Sequence, residues 1–138
     1  MIKPARLFDL FPGYIFQSIN DILTTFHHGD DVFKFIDSKM FPFFTSGHSD
    51  YLTLNLHEVL ERNLMASVYY ISAGDTNFRG FVKIYENFNQ MLITVIDCYV
   101  KGYYFLDDDG ILDDDSIEVA NLSFANNPLS PYWKRMLE

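Results

Sequence analysis

A chain of 138 residues sets one domain as the expectation and can bury a core without disulfides or a structural metal. Aromatic content is high, 17% with 14 Phe and 9 Tyr, so ring packing should dominate the core and any interface. A net charge of −9 speaks against non-specific nucleic-acid binding, which needs a positive patch, and suits the chain to a basic protein partner or simply to solubility. Cys98 is the single cysteine, so no internal disulfide is expected, which fits a reducing compartment. No apolar run approaches the ~18 residues of a membrane span, and Met1–Arg6 leads into no signal-peptide stretch, so the expected setting is the cytoplasm.

In chain order, Ile2 to Leu10 is ambiguous: Pro4 argues against a central strand and leaves room for an edge strand over Ala5-Arg6-Leu7-Phe8, and Pro12-Gly13 is a turn. From Tyr14 the pattern reads as a helix. Ile15, Ile19, Ile22, Leu23 and Phe26 share one face, Gly29 ends the run, and His27 to Asp31 is a loop. Val32 to Ile36 reads as a short strand. The chain is organised around the stretch that follows. Phe41-Pro42-Phe43-Phe44 is an aromatic plug, Thr45 to Ser49 a polar turn, and Tyr51 to Leu56 a half-buried strand with Leu52, Leu54 and Leu56 on one face. Glu58 to Met65 is a loop or a single turn. Ser67 to Ser72 and Phe78 to Tyr85 are strands joined by a turn at Gly74-Asp75-Thr76-Asn77, which suggests an antiparallel meander.

The strongest helix signal comes next. Asn87 is a good N-cap with Gln90 three residues on in a capping-box pattern. Phe88, Met91, Leu92, Val95, Ile96 and Tyr99 repeat at helical spacing and should cover one face of the sheet, with Gly102 as the C-terminal glycine. Cys98 falls in the helix–sheet packing region, with nothing nearby in sequence to activate it. A tight turn is expected at Asp109-Gly110 and another at Asn126 to Leu129. Ser130-Pro131 then opens a short C-terminal helix with Lys134 and Arg135 near its end.

With Gly110 at position six of a calcium loop, Asp107 and Asp109 fit, but Phe105 stands at position one and Ser116 at position twelve, so the opening and closing ligands fail. The aspartates then read as a solvated acidic loop or an acidic docking surface. His27 and His28 are adjacent, so on a helix they point ~100° apart, and His57-Glu58 has Glu61 where a zinc protease needs its second histidine. Ser49 and Cys98 lack nucleophile-elbow glycines, and there is no phosphate-cradling glycine loop. No cofactor, metal or catalytic residue is expected.

Three segments together resemble the SUKH superfamily, which contains fungal regulators of cell-wall glucan synthesis and killer-toxin resistance and many bacterial toxin-immunity proteins. They are Phe41-Pro42-Phe43-Phe44 with its turn and Asp50 to Leu56; Ser67-Val68-Tyr69-Tyr70-Ile71; and Ile84 to Leu92 with Gly102-Tyr103-Tyr104. Asn55 stands where that strand usually carries aspartate, and Phe11-Pro12-Gly13-Tyr14 departs from the family's opening motif. The resemblance therefore implies a single SUKH-like domain over residues 1–138 that lacks the family's N-terminal helices. Sheet and aromatic surface left exposed would be covered either by a partner chain, as in a homodimer, or by the rest of a longer native gene product.

The resulting expectation is an α+β fold, a largely antiparallel twisted sheet of five or six strands with helices packed against it, the principal one running from Asn87 to Lys101. By resemblance the chain is a non-enzymatic immunity protein that neutralises a basic, nuclease-type toxin by stoichiometric binding. The alternative is a regulatory scaffold related to the fungal glucan-synthesis regulators. The docking face expected for a basic partner comprises Asp107, Asp108, Asp109, Asp113, Asp114 and Asp115, with Tyr103 and Tyr104 as aromatic anchors or as core residues.

Overall fold

The computed structural model of the protein describes residues 9–28, 39–47, 50–62, 64–72 and 81–138. Strands β1 (Asp9–Phe11), β2 (Tyr14–Phe16), β3 (Met40–Thr45), β4 (Asp50–Asn55), β5 (Val68–Ser72) and β6 (Phe81–Tyr85) form one six-stranded sheet in sequential order. Each neighbouring pair is antiparallel, so the sheet is the expected meander. Helix α1 (Ile19–His28) lies between β2 and β3, and α2 (Leu56–Arg62) between β4 and β5. After β6 come α3 (Phe88–Val100), a hairpin of β7 (Tyr104–Leu106) and β8 (Leu112–Asp114), then α4 (Ser116–Asn126) and α5 (Pro131–Met136). The α+β expectation is met. Among the described residues no helix is long and apolar enough to cross a membrane.

Several boundaries differ from the sequence reading. Tyr14–Phe16 is a strand and the helix begins only at Ile19, because apolar residues at 14, 15 and 16 satisfy either period over so short a run. His27 and His28 belong to the last turn of α1. The aromatic plug is itself strand β3. Pro42 sits where the β3–β4 register shifts, the usual place for a proline inside a sheet. Gln17 spans that irregularity: its backbone N donates to the Phe43 carbonyl at 2.9 Å and its Nε2 to the Pro42 carbonyl at 2.7 Å. Leu56 starts α2 rather than ending the strand, and the stretch read as a loop or single turn is helical to Arg62. Helix α4 was absent from the sequence reading. The strands expected at 5–8 and 32–36, the turn at 74–77 and the first residues of the 78–85 strand lie outside the described residues.

Strand β4 is buried on both faces, not one. Leu52 and its cross-strand neighbours Phe44 and Tyr70 join the main core, which also takes Val68, Tyr85, Met91, Val95, Cys98, Val119 and Trp133. Tyr51 and its neighbour Ile71 are buried on the opposite face in a smaller cluster with Met40. Rings carry much of the main core: Phe44 packs on Phe11, Phe16 and Phe43, and Trp133 on Tyr85 and Tyr132. Helix α3 covers the sheet through Met91, Val95 and Cys98; of the stripe expected to do so, Ile96 is exposed on the side away from the core, and Phe88 and Tyr99 are only partly covered.

Candidate partner-binding surface

The acidic segment is built by the way α3 ends. Gly102 adopts a φ of 73°, its N–H bonds to the Tyr99 carbonyl at 3.1 Å, and the Tyr103 N–H bonds to the Cys98 carbonyl at 2.8 Å. This pair of bonds is a Schellman stop, which reverses the chain into β7. Residues β7 and β8 then pair as Tyr104 with Asp114, Phe105 with Asp113, and Leu106 with Leu112. The expected turn lies between them, with Gly110 at a φ of 74°. Asp107 organises it: one carboxylate oxygen accepts from the Asp109 N–H at 2.9 Å and the Ile111 N–H at 2.8 Å. At the far end Asp115 donates its N–H to the Tyr103 carbonyl at 2.9 Å and caps α4 by accepting from the Glu118 N–H at 3.3 Å.

The hairpin has two faces because side chains alternate along each strand. Tyr104 and Asp114 point inward. Tyr104 is buried beside Cys98 and against Tyr99, and burial raises its hydroxyl pKa far above the ordinary value. It is a core residue and not an exposed anchor. Tyr103 is half-buried and packs against the same core, with Glu118 beside it; desolvation first and that carboxylate second push its hydroxyl pKa up. Asp114 is half-buried too, and its carboxyl pKa is raised by desolvation and then by Asp113 and Asp115. The outward face carries Phe105 and Asp113, and the turn presents Asp108, Asp109 and Ile111, all exposed.

Residues 107–118 hold six aspartates and Glu118 without a single Lys or Arg. The structure gathers Asp108, Asp109 and Asp113 on one exposed hairpin, keeps Asp107 and Asp115 as turn and helix caps, and turns Asp114 partly inward. Exposed Phe105, Leu106 and Ile111, with Ile117 at the start of α4, are the apolar groups next to this charge. Sequence reasoning passed over them for the two tyrosines. The signal was available: strands flanking Asp107–Gly110 must alternate, and burying Tyr104 turns Phe105 out.

The other chemically suggestive groups are accounted for locally. Burial pushes the Cys98 thiol up to about 11, far from a reactive thiolate at neutral pH. Glu61 accepts from His57 Nδ1 at 2.9 Å and from Lys39 Nζ, which fastens α2 to the start of β3. Ser49 lies outside the described residues. Among the described residues no three His, Cys, Asp or Glu side chains gather in a metal-binding group. Searches of family models, curated proteins and solved structures returned no match to this chain.

Proposed function

We propose that the chain is a non-enzymatic protein-binding module that receives a basic protein on the outward face of the β7–β8 hairpin. The observation that carries this reading is the concentration of exposed Asp108, Asp109 and Asp113 on a turn hydrogen-bonded to the Asp107 carboxylate, beside exposed Phe105 and Ile111. Clustered charge steers an oppositely charged partner and raises its association rate by ~10–10³, falling as salt rises. The apolar groups supply area that is desolvated once the partner arrives. Asp107 is spent on its own turn, so the hairpin is ordered before contact and little entropy is lost on binding.

The SUKH resemblance gives this reading its specific form, a cytoplasmic toxin-immunity protein that occludes a basic, nuclease-type toxin one to one. The test is capture from source cells with the chain as bait, at low and high salt, beside an Asp108→Asn/Asp109→Asn/Asp113→Asn variant. The expected result is one basic protein, lost at high salt and lost by the variant, whose toxic activity the purified wild-type chain blocks at equimolar ratio. A neutral or acidic partner that survives high salt and binds the variant equally would overturn the electrostatic reading and select the scaffold alternative related to the fungal glucan-synthesis regulators.

A further inference from the structure

Helix α3 has four sides, and three are in use. Met91, Val95 and Cys98 face the sheet. Gln90, Thr94 and Asp97 face α4: Gln90 Nε2 donates to the Asn126 carbonyl at 2.8 Å, Asp97 accepts from Asn126 Nδ2 at 2.9 Å, and Thr94 Oγ1 accepts from Asn127 Nδ2 at 3.1 Å. Phe88 and Tyr99 lean the other way, Phe88 edge-on against Phe43 and Tyr99 with its hydroxyl donating to the Leu10 carbonyl at 2.7 Å. The fourth side is opposite the core and carries Asn89, Ile93, Ile96 and Val100. Ile93 is 48% exposed, Ile96 57% and Val100 80%. An exposed apolar stripe of this kind marks an interaction surface.

The four residues are spaced four, three and four apart, the seam spacing of a coiled coil. We infer that this seam is where two copies of the chain meet, as an antiparallel α3–α3 pair about a two-fold axis. The seam is self-complementary. In an antiparallel pair each Ile93 lies beside the Ile96 of the other copy, and each Val100 beside the other Asn89. The flanking positions also match: Leu92 meets Tyr99, and Gln90 meets Asp97, so no like charges face one another. Charge selects the same occupant. The stripe holds no ionised side chain, so it offers a basic partner nothing to pair with, whereas a second copy presents the same neutral surface. A seam of under two heptads makes a weak pair, with a dissociation constant on the order of micromolar.

Salt separates this contact from hairpin docking. It loosens a basic partner but tightens the association of two chains of net charge −9, by screening their repulsion. The test is sedimentation velocity of the full chain from about 5 to 500 µM at low and high salt, with circular dichroism as a check of fold. Wild type should pass from monomer to dimer across that range, at lower concentration in high salt. Ile96→Glu should be monomeric throughout with unchanged helicity. Ile96→Gln, which adds no charge, should weaken the dimer at least about tenfold, since each copy loses a buried apolar side chain. A wild type that stays monomeric at both salts, or a dimer that Ile96→Gln leaves as tight as before, overturns the inference.

Discussion

The Asn127 side chain accepts from the Glu86 N–H at 3.1 Å and donates to Thr94 Oγ1 at 3.1 Å and the Ser123 carbonyl at 3.0 Å. It is fully buried, so one amide joins the end of β6, the middle of α3 and the last turn of α4. Asn127→Ala would leave the Glu86 N–H and Thr94 hydroxyl without that partner, and we expect a loss of ~2–4 kcal/mol in chemical denaturation. Asp114 works in the opposite direction. Its folded-state pKa is raised, by desolvation first and by Asp113 and Asp115 next, so the folded protein holds that proton more tightly than the unfolded chain does. Ionising Asp114 therefore costs stability, absent below the unfolded pKa and complete once pH has risen through the folded one. Asp114→Asn should be more stable than wild type at neutral pH, by less than about 1 kcal/mol after solvent screening, and should lose that advantage as pH falls below the ordinary carboxylate range. Thermal melts at several pH values check both the sign and the window.

At the scale of elements, capping residues set the helix boundaries. Asn87 accepts from the Gln90 N–H at 2.8 Å, as its sequence position implies, but the Gln90 side chain does not return to close a capping box; it reaches across to the Asn126 carbonyl. Ser130 caps α5 by accepting from the Trp133 N–H at 3.3 Å, and its hydroxyl donates to the Lys83 carbonyl on β6 at 3.1 Å. Ser130→Ala removes both bonds, and about 1–2 kcal/mol of stability should go with them, seen as a lower denaturant midpoint at unchanged slope. Helix α3 was legible because cap, apolar face and stop coincide in it, and α5 because Ser130 and Pro131 open it and Lys134 and Arg135 stand near its end. Helix α4 was not. The face it turns inward is Val119, Ala120 and Ser123, leading to Asn127, too small and too polar to register as a hydrophobic stripe. Only its cap pair, Asp115 and Glu118, marks it in the sequence. Helix α2 begins directly at the end of β4: Asn55, the last residue of the strand, is also its cap, accepting from the His57 N–H at 3.1 Å, with no glycine or proline to announce the change.

For the whole molecule, β4, β5 and β6 of the meander were readable, because β4 alternates and β5 is rich in aromatic and β-branched side chains, whereas β2 read as helix, β3 as an aromatic plug, and β1 fell outside the expected edge strand. Two-sided burial of β4 was not readable, since Tyr51 and Thr53 look like solvent-facing residues until Ile71 and Tyr69 are paired with them. The acidic segment was legible as charge. Its division into caps, inward Asp114 and outward Asp108, Asp109 and Asp113 depends on hairpin register, which the sequence leaves open by one residue. Those outward carboxylates and the neutral α3 stripe make two surfaces of opposite character on one chain. The most direct measurement is the association rate of the captured partner with wild type and with Asp108→Asn/Asp109→Asn/Asp113→Asn across ionic strength. The account predicts a rate that falls steeply with salt for wild type, and a slower, nearly flat rate for the variant, about tenfold down at low salt. Equal rates and equal salt slopes for the two proteins would contradict it and move the docking face away from the hairpin.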